Sequence, residues 1–394
     1  MQDRKIIFVP YQDSDNFYSD GILTREFAML YLLWKRGYKS VVNVKKPRTI
    51  LDRKHYIINE SFYPEGTIEN QVKKILDKSK TFQYLTLLSV SQIRNKREWW
   101  EKGYLKIVEE LKQNITDSSE CVVYSDNPFA VLLLEILKKN GCKIYFDIMD
   151  NFAIHPSLTK KERMAALRAY KRILSFSDYV SANSQQTCEY MEKYSNKEIV
   201  LVKNGVFLQN NIKGDITCSQ ICELRNKRRN FKKVVGYIGK IGKRLDDALI
   251  DYVSRNTVDT LFVFVGPLLN GQMNDTLINI FKTRDNVLHL DGIPSAYVYS
   301  MLDEFDMLMI PHSVGKNENG GDPLKLYQYL TRNKPIITTG ILGVDEFKDI
   351  IKITNDYEEW VKFILEPQFK QTNHKECCYS WESRIKPIME MVNK

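Results

Sequence analysis

Short runs of β-branched, aromatic and aliphatic residues alternate along most of the chain with longer segments whose apolar residues recur every three or four positions. This alternation predicts repeated strand–helix units and mostly parallel sheets. The strands predicted in the first half are residues 6–9, 40–44, 84–88, 121–124, 143–146, 179–182 and 199–202. The main helices predicted between them are residues 21–36, 99–114, 130–140 and 160–176.

A second series of strands begins after a break in this pattern. Residues 207–233 are polar and basic, which is typical of a linker. Beyond them, strands are predicted at residues 234–239, 260–265, 287–290, 307–310 and 335–338. The pattern therefore predicts an α/β protein with two doubly wound, Rossmann-like domains, 1–206 and 234–376, facing a central cleft. A further helix is predicted in the terminal segment, 377–394.

Composition and charge narrow the class of protein. Of the 394 residues, 43% are hydrophobic and 27% are charged, which excludes a disordered chain, a collagen and a coiled coil. Lys and Arg outnumber Asp and Glu by 58 to 49, and the net charge of +9 favours anionic partners such as phosphates or a lipid surface. No nucleic-acid-reading module accompanies that charge, so nucleic acid is not expected as a partner.

The sequence also bears on where the protein works. No apolar run approaches the ~20 residues of a membrane-spanning helix, and no targeting segment precedes the first predicted strand. The seven cysteines show no disulfide framework, so reduced thiols are expected. A cytoplasmic protein is therefore predicted. Two basic segments with aromatic or apolar residues, 94–100 and 160–174, offer peripheral contact with an anionic membrane surface, or are ordinary surface helices.

The most informative segment, residues 236–247, takes a strand into a glycine-rich turn and then into a helical pattern. Gly239 lets the backbone approach a ligand closely, and Lys240, Lys243 and Arg244 add positive charge to the same turn. These features predict a diphosphate site, although the spacing matches neither a Walker motif nor a dinucleotide fingerprint. A tight turn with solvated lysines is the alternative.

A second segment, residues 319–330, follows a predicted strand. Asp322 and Pro323 are typical of a helix start, as N-cap and first helical residue. Lys325 and Gln328 lie three positions apart and therefore share one face of that helix. A cation and an amide on this face suit the phosphate and ribose hydroxyls of a nucleotide, and a solvated helical face is the alternative.

In this order along the chain, the two segments resemble the donor-binding half of GT-B glycosyltransferases, in particular glycosyltransferase family 4 and its relatives. The specific matches are Gly-Tyr-Ile-Gly at 236–239, Leu-Asp at 245–246, Val-Gly-Pro at 265–267, Asp-Pro-Leu-Lys at 322–325 and Lys-Pro at 334–335. Looser matches lie at 145–150, 182–184 and 203–206. Residues 380–384 resemble the helix that returns to the N-terminal domain in that fold.

The resemblance implies a GT-B fold in which domain 234–376 binds a nucleoside-diphosphate sugar and domain 1–206 binds the acceptor. UDP is the expected nucleotide, and a surface polysaccharide or lipid-linked glycan is the expected acceptor. No cofactor beyond the nucleotide sugar is implied, and no metal. Carried over by position, Lys325 contacts the diphosphate and Gln328 the ribose. The remaining implied donor contacts are Gly239, Ile293, Tyr297, Pro323 and Leu324, with Ile293 and Tyr297 framing the nucleobase.

One departure from family 4 concerns the reaction outcome. Members typically carry Glu-x7-Glu where this chain has Gly320 and Gln328. The Lys-x-x-Gln arrangement resembles instead the inverting glucuronosyltransferases of bacterial exopolysaccharide synthesis, which favours inversion. An inverting transfer needs a general base for the acceptor hydroxyl.

Three aspartates are candidates for that base. Asp150 is preferred because it lies furthest out in the loop after the strand predicted at 143–146. Asp147 is expected mainly to tie down the turn, and Asp20 has a strong alternative role as a helix N-cap.

The histidines and the remaining alternatives complete the prediction. Five histidines show no metal-ligand spacing, and no Asp-x-Asp follows an apolar strand, so no metal site is predicted. His312 is close to the second segment and is expected to be a satisfied loop residue, with a sugar or phosphate contact as the alternative.

Other functions remain open: a nucleotide-sugar epimerase or phosphorylase on the same fold, or a non-catalytic nucleotide-binding scaffold.

Overall fold

A computed structural model describes residues 4–392 apart from 53–56, 114–119, 156–157, 209–216, 270, 272, 274, 316–321 and 369–378. Its internal contacts divide the chain into two compact units. The first is Met1–Lys203 together with Trp381–Lys394, and the second is Asn204–Ser380. Each unit carries its own parallel sheet and its own hydrophobic core.

The strands of the first unit are β1 (Arg4–Val9), β2 (Ser40–Val44), β3 (Arg48–Thr49), β4 (Lys80–Phe82), β5 (Leu85–Thr86), β6 (Glu120–Ser125), β7 (Lys143–Ile148), β8 (Tyr179–Ala182) and β9 (Val200–Leu201). Within the described residues, the main sheet has 7 strands in the order β4-β2-β1-β6-β7-β8-β9, and β3 pairs with β5 in a separate ladder. The neighbouring strands run parallel, so their carboxyl ends meet at one edge. Buried parallel strands need apolar residues on both faces, which explains their nearly continuous apolar runs.

The helices of the first unit before the chain leaves it are α1 (Ser14–Asp20), α2 (Arg25–Lys35), α3 (Ile68–Asp77), α4 (Val90–Tyr104), α5 (Val108–Gln113), α6 (Val131–Lys139), α7 (Lys160–Phe176) and α8 (Gln185–Glu192). Helix α7 begins with a capping box, in which the Thr159 side chain and Glu162 satisfy each other's backbone N–H groups. Its small and aromatic residues then pack against the sheet, because Ala166, Tyr170 and Ile173 are buried.

Three predicted elements of this unit differ from the structure, and one of them is the helix predicted at 99–114, which is divided between α4 and α5. The strand predicted at 84–88 is wrong: the sheet strand is β4, and only Leu85–Thr86 forms part of a ladder. Leu87 and Leu88 face solvent, so this apolar run does not belong to the core. The helix predicted at 21–36 begins later, at Arg25, because Gly21 has a φ of 64° and ends helix α1.

The strands of the second unit are β10 (Lys233–Ile238), β11 (Thr260–Val265), β12 (Val287–Leu290), β13 (Met307–Ile310), β14 (Ile336–Thr338) and β15 (Lys352–Ile353). Among the described residues they form a parallel sheet of 6 strands in the order β12-β11-β10-β13-β14-β15. Strand β11 is buried along its whole length. The five strands predicted for this half are present, and the α/β class with parallel sheets is confirmed.

The helices of the second unit are α9 (Ser219–Lys227), α10 (Asp247–Asn256), α11 (Asp275–Thr283), α12 (Val298–Asp303), α13 (Leu324–Leu330) and α14 (Tyr357–Leu365). Helix α9 lies in the segment 207–233 that the sequence predicts as a linker. Its Ile221 and Leu224 are buried in the core of the second unit, and Arg225 binds Glu304 with an Nε–Oε1 distance of 2.8 Å. This part of the segment is therefore packed structure, whose basic residues cover its outer side.

The chain returns to the first unit through two short helices, α15 (Trp381–Arg384) and α16 (Lys386–Val392), where the sequence predicts one. Pro387 lacks a backbone N–H, which favours a helix start at this point. The Arg25 guanidinium lies 5.5 Å from the centre of the Trp381 ring. In the part of the chain that the structure describes, no helix combines the length and apolar character needed to cross a bilayer.

Candidate functional site

Two glycines bring the ends of neighbouring strands into contact in the second unit. Gly239, which follows β10, donates its N–H to the carbonyl of Val265 at 2.9 Å. Gly266, which directly follows the last residue of β11, has a φ of 153°. A Cβ at this position would lie 2.0 Å from the carbonyl oxygen of Gly239. No side chain fits at that distance, so the close approach of the two loops requires glycine at position 266.

Lys325, near the start of helix α13, lies against this loop. Its Nζ is 2.7 Å from the point where Gly239 would carry a Cβ, and it donates a hydrogen bond to the Tyr237 hydroxyl at 2.7 Å. The Tyr329 hydroxyl accepts the N–H of Ile238 at 2.9 Å, which ties helix α13 to the end of β10. The two segments that the sequence singles out are therefore in direct contact.

Positive charge accumulates at this contact. Burial lowers the pKa of Lys325 well below its usual value, and the neighbouring Arg244 lowers it further. Burial likewise lowers the pKa of His312, with Lys325 and Arg244 adding to the effect. The His312 Nε2 lies 3.2 Å from the Tyr237 hydroxyl and 3.4 Å from Lys325 Nζ. An anion bound here would relieve the repulsion among these groups.

The sequence predicts His312 mainly as a satisfied loop residue, and its Nε2 does lie within hydrogen-bond distance of the Tyr237 hydroxyl. The structure places it beside Lys325, because a backbone bridge joins it to Leu245 on the glycine-rich loop. The position of His312 soon after strand β13 indicates a place at the edge of the sheet. A single histidine without a partner motif does not by itself predict the contact with Lys325.

The other predicted cations of the loop differ in exposure. Lys240 and Lys243 are exposed, whereas Arg244 is half-buried. The backbone carbonyl of Lys240 accepts a hydrogen bond from the Tyr237 hydroxyl at 3.1 Å. Arg244 is close enough to lower the pKa of Lys325, so the structure brings it together with the site.

The remaining donor candidates follow strands β12 and β13 of the second sheet. Ile293 and Tyr297 follow β12 and are each 8% exposed, which leaves little of the Tyr297 ring open to a ligand. Pro323 takes the N-cap position of α13 that the sequence predicts for Asp322. The Asp322 carboxylate instead accepts the N–H of Asn204 at 2.5 Å and the Tyr327 hydroxyl at 2.6 Å.

Leu324 and Gln328 are half-buried on helix α13. Gln328 lies one turn beyond Lys325, as the sequence predicts. Gly320, at the position of the first glutamate of the family 4 pattern, lies outside the described residues.

Of the base candidates in the first unit, Asp147 is wrongly placed for catalysis. It is fully buried on β7 and accepts hydrogen bonds from both Nε and Nη2 of Arg25. The Tyr124 hydroxyl and the Ser181 hydroxyl, at 3.0 and 2.6 Å, occupy its remaining acceptor positions. This carboxylate has a structural role, because its lone pairs are committed and solvent is excluded.

Asp150 and Asp20 are both exposed. Asp150 follows the carboxyl end of β7, in a bend whose backbone carbonyl accepts the Tyr170 hydroxyl at 2.9 Å. Asp20 is the last residue of α1, and the N-cap of α2 is Thr24, so the predicted capping role of Asp20 is wrong. Of the three candidates, Asp150 has the exposure and the position at the carboxyl edge that a base requires.

Two further carboxyl groups at this edge escape the sequence prediction. Glu26 is fully buried on α2, and within the described chain neither of its carboxylate oxygens makes a hydrogen bond. Burial raises its pKa to about 7, and the charges of Asp150 and Asp147 contribute. Burial and the charge of Glu26 raise the pKa of Asp126, whose Oδ1 accepts the N–H of Tyr11 at 2.7 Å. No local motif marks a buried glutamate inside an amphipathic helix.

The described residues contain no group of three or more His, Cys, Asp or Glu side chains arranged to hold a metal ion. Lys240, Lys243, Arg244 and Lys325 place cations at the glycine-rich loop, which Asp246 and Asp247 follow at the start of α10. The site described so far is therefore suited to an anionic ligand, with positive charge supplied by the protein.

Comparison with solved structures identifies the fold. HepE of Anabaena in complex with UDP and glucose superposes with a TM-score of 0.63 at 14% identity, covering 99% of this chain and 100% of that one. Sucrose-phosphate synthase of Thermosynechococcus elongatus gives 0.65 at 12% identity, covering 99% and 98%. The lipopolysaccharide outer core galactosyltransferase WaaB, in its apo form, gives 0.55 at 13% identity, covering 99% of each chain.

No protein-family model and no curated protein sequence matches the chain. The structural likeness extends over the full length of all three proteins, at identities too low to carry more than the fold. The GT-B fold predicted from the sequence is confirmed.

Proposed function

We propose that this protein is a glycosyltransferase that moves a sugar from a UDP-linked donor to a surface-polysaccharide or lipid-linked glycan. The observation that carries the proposal is the contact between Lys325 and the Gly239 loop. It combines a close backbone approach with a half-buried lysine whose pKa is lowered by burial and by Arg244. A diphosphate is the anion that fits such a loop.

The structural neighbours support a nucleotide-sugar donor. HepE was solved with UDP and glucose and with UDP-glucose. WaaB is a galactosyltransferase of the lipopolysaccharide outer core. We extend the donor class to this chain because the same fold here carries a cationic, glycine-rich loop at the carboxyl edge of its second sheet.

The proposed reaction is a displacement at the anomeric carbon. The acceptor hydroxyl oxygen forms a bond to that carbon, while the bond between the carbon and the diphosphate oxygen breaks. The electron pair leaves with UDP, whose charge Lys325 and Arg244 neutralise. Asp150 takes the proton of the acceptor hydroxyl. Direct attack from the opposite face inverts the configuration.

In this proposal the cations of the chain do the work that a divalent metal does in other transferases, so no metal is required. Lys240 and Lys243 add positive charge around the diphosphate, and Gln328 binds the ribose. Ile293 and Tyr297 lie beside the nucleobase, and Pro323 and Leu324 position Lys325. We expect the protein to work in the cytoplasm, where nucleotide sugars are made.

The first experiment measures UDP binding by isothermal titration calorimetry. A Lys325→Ala variant is expected to bind UDP at least about ten-fold more weakly, because a hydrogen bond to a charged group contributes about 1.5–3 kcal/mol. Lys362→Ala, an exposed lysine on α14, is the matched control and should bind as the wild type does. Absence of UDP binding in the wild type would overturn the proposal.

A second experiment measures transfer itself, as release of UDP from UDP-sugars with and without membrane-lipid acceptors. Release that depends on the acceptor supports a transferase. Conversion of the donor sugar without an acceptor would indicate an epimerase or phosphorylase, and UDP binding without any turnover would indicate a scaffold.

The base is tested with Asp150→Asn. Turnover should fall by about 10²–10⁴-fold, while the affinity for UDP is unchanged, because only proton transfer is removed. Asp77→Asn, at an exposed carboxylate on α3, is the matched control. Retention of full activity by the Asp150 variant would remove this residue from the mechanism.

A further inference from the structure

Large apolar side chains stand open to solvent in one region of the first unit. They follow strands β3 and β5 and continue into the first turn of helix α4. The exposed fractions reach 81% at Leu51, 74% at Leu87 and 83% at Ile93. The apolar patch is defined by Ile50, Leu51, Leu87, Leu88, Val90 and Ile93.

The backbone brings these residues into one region. Strands β3 and β5 run parallel, with Thr49 opposite Thr86, so residues 50–51 and 87–88 leave the ladder at the same end. The Lys96 Nζ lies 2.9 Å from the Asp52 carboxylate, which ties helix α4 to the turn after β3. In that helix, Val90 and Ile93 are three positions apart and share a face.

A basic pocket adjoins the apolar patch. It has a volume of about 260 Å³ and is lined by Lys46, Pro47, Arg48, Asp52, Lys96, Arg97 and Trp100. Four of these residues are cations and one is an anion, and three of the cations are paired with carboxylates: Arg48 with Asp13 and Asp15, Lys96 with Asp52, and Arg97 with Glu162. The Arg48 and Arg97 guanidinium groups are therefore held in position. Lysines and arginines at this surface suit it to lie against anionic headgroups.

The two basic segments that the sequence predicts for membrane contact bury most of their aromatic and apolar side chains in the structure. Trp99 and Trp100, predicted at the interface from the basic segment 94–100, are 8% and 6% exposed and pack in the core. Helix α7 buries Tyr170 and Leu174 against the sheet, whereas Met164 in its first turns is 53% exposed. Neither segment can present these groups to a bilayer, whereas the apolar patch already faces solvent.

We propose that the apolar patch and the basic pocket dock the protein onto an anionic phospholipid membrane. The apolar side chains enter the boundary between headgroups and acyl chains, and the lysines and arginines of the pocket lie at the level of the anionic headgroups. The combination of apolar residues with adjoining cations is the one that interfacial binding uses. A second copy of this chain is a poorer occupant, because each copy carries a net charge of +9 and would bring like charges together.

This inference deepens the proposed function, since docking would bring the protein to a lipid-linked acceptor. Its test is independent of that function. Vesicle binding is measured without nucleotide, and UDP binding is measured without vesicles. Failure of one measurement therefore leaves the other result intact.

The test is co-sedimentation of the full chain with vesicles of phosphatidylglycerol and phosphatidylcholine in equal amounts. Binding is expected, and it should be weaker to phosphatidylcholine alone. Leu87→Ser combined with Ile93→Ser should lower the partition coefficient at least about ten-fold, because two apolar side chains no longer leave water. The matched control is Val258→Ser, which replaces a residue of the second unit that is 69% exposed.

The pocket is tested in the same assay with Lys96→Gln. Removal of one cation near the membrane should lower binding to the anionic vesicles about five-fold and leave binding to phosphatidylcholine unchanged. Lys139→Gln, at a lysine of α6 whose side chain is 72% exposed, is the matched control. Since all these side chains are exposed, unchanged melting temperatures are expected and confirm that the variants fold.

Three results would overturn the proposal. The first is wild-type sedimentation of the Leu87→Ser/Ile93→Ser variant. The second is stabilisation by inorganic phosphate together with no binding to anionic vesicles, which would indicate a site for the free anion. The third is a wild-type dimer, measured by light scattering, that the same double variant dissociates, which would assign the patch to a second copy of the chain.

Discussion

Arg25 binds Asp147 through two parallel hydrogen bonds, from Nε to Oδ2 at 2.8 Å and from Nη2 to Oδ1 at 2.9 Å. The side chains are 4% and 0% exposed. Burial alone would lower the pKa of Arg25, but the Asp147 carboxylate raises it above its usual value, so the guanidinium stays charged. The pair fastens helix α2 to strand β7 inside the first unit.

Removing one partner of this pair leaves an uncompensated buried charge. Asp147→Asn and Arg25→Met should each lower the free energy of unfolding by about 3–5 kcal/mol. The double variant should be less destabilised than the sum of the two, because neither charge remains. Urea denaturation of all four proteins measures this coupling. Losses under about 1 kcal/mol in both single variants would contradict it.

Gly266 is expected to tolerate no side chain. Gly266→Ala places a Cβ 2.0 Å from the Gly239 carbonyl oxygen, so the glycine-rich loop must move and UDP binding should be lost or strongly weakened. Gly271→Ala is the control, because its φ of 68° is also positive but no atom lies within 4 Å of the added Cβ. The control should cost about 1 kcal/mol of stability and keep its affinity for UDP. Equal UDP affinities in the two variants would show that the loop contact is not part of the site.

Nucleotide binding should be coupled to proton uptake. Burial and Arg244 lower the pKa of Lys325 in the ligand-free protein, and a diphosphate would raise it again. At a pH between the pKa of the free protein and that of the complex, Lys325 takes up a proton on binding, so the affinity for UDP falls as the pH rises through that range. Calorimetry in two buffers of different ionisation enthalpy measures the uptake.

Repeating the two-buffer calorimetry with variants tests whether Lys325 is the group that takes up the proton. Lys325→Ala should abolish most of the uptake. If uptake persists in that variant and disappears in His312→Ala, the imidazole is the group that titrates.

Glu26 should make stability depend on pH near neutrality. Its pKa of about 7 in the folded protein exceeds that of an unfolded glutamate, so the folded state holds the proton more tightly. The free energy of unfolding is therefore highest below the unfolded pKa and falls as the pH rises through 7. Glu26→Gln should remove about 3 kcal/mol of that fall, from the size of the pKa difference.

Denaturant unfolding at several pH values from 5 to 8 follows this loss. Burial raises the pKa of Glu69 to about 7 as well, so Glu69→Gln should remove a separate part of the same slope. Glu109→Gln, at an exposed carboxylate, should leave the slope unchanged. Identical slopes in the wild type and the Glu26 variant would contradict the prediction.

The sequence predicts those parts of the fold and site that depend on local pattern. The parallel strands of the second unit follow from continuous apolar runs. Gly239 and Lys325 stand out as candidates because each lies in a short segment with its own turn or helix signal. Their contact could be inferred from the resemblance to GT-B enzymes, and the structure supplies its geometry.

The features that the sequence does not predict depend on contacts between residues that are far apart in the chain. The partner of Asp147 lies 122 residues away, so nothing local distinguishes a buried aspartate from a catalytic one. Glu26 belongs to an amphipathic helix in which one polar residue happens to face inwards. Leu87 and Leu88 give the pattern of a core strand, yet they face solvent, and hydropathy alone cannot separate a core from an exposed apolar surface.

The return of the chain to the first unit has a consequence for biosynthesis. Trp381 packs beneath Arg25, and Ile385 and Ile388 are fully buried in the same unit. The ribosome makes residues 381–392 after the whole of the second unit. Until then, the apolar surface of the first unit that these residues cover is exposed in the nascent chain. A chaperone that shields exposed apolar surface would therefore be needed longest at the part of the protein that is translated first.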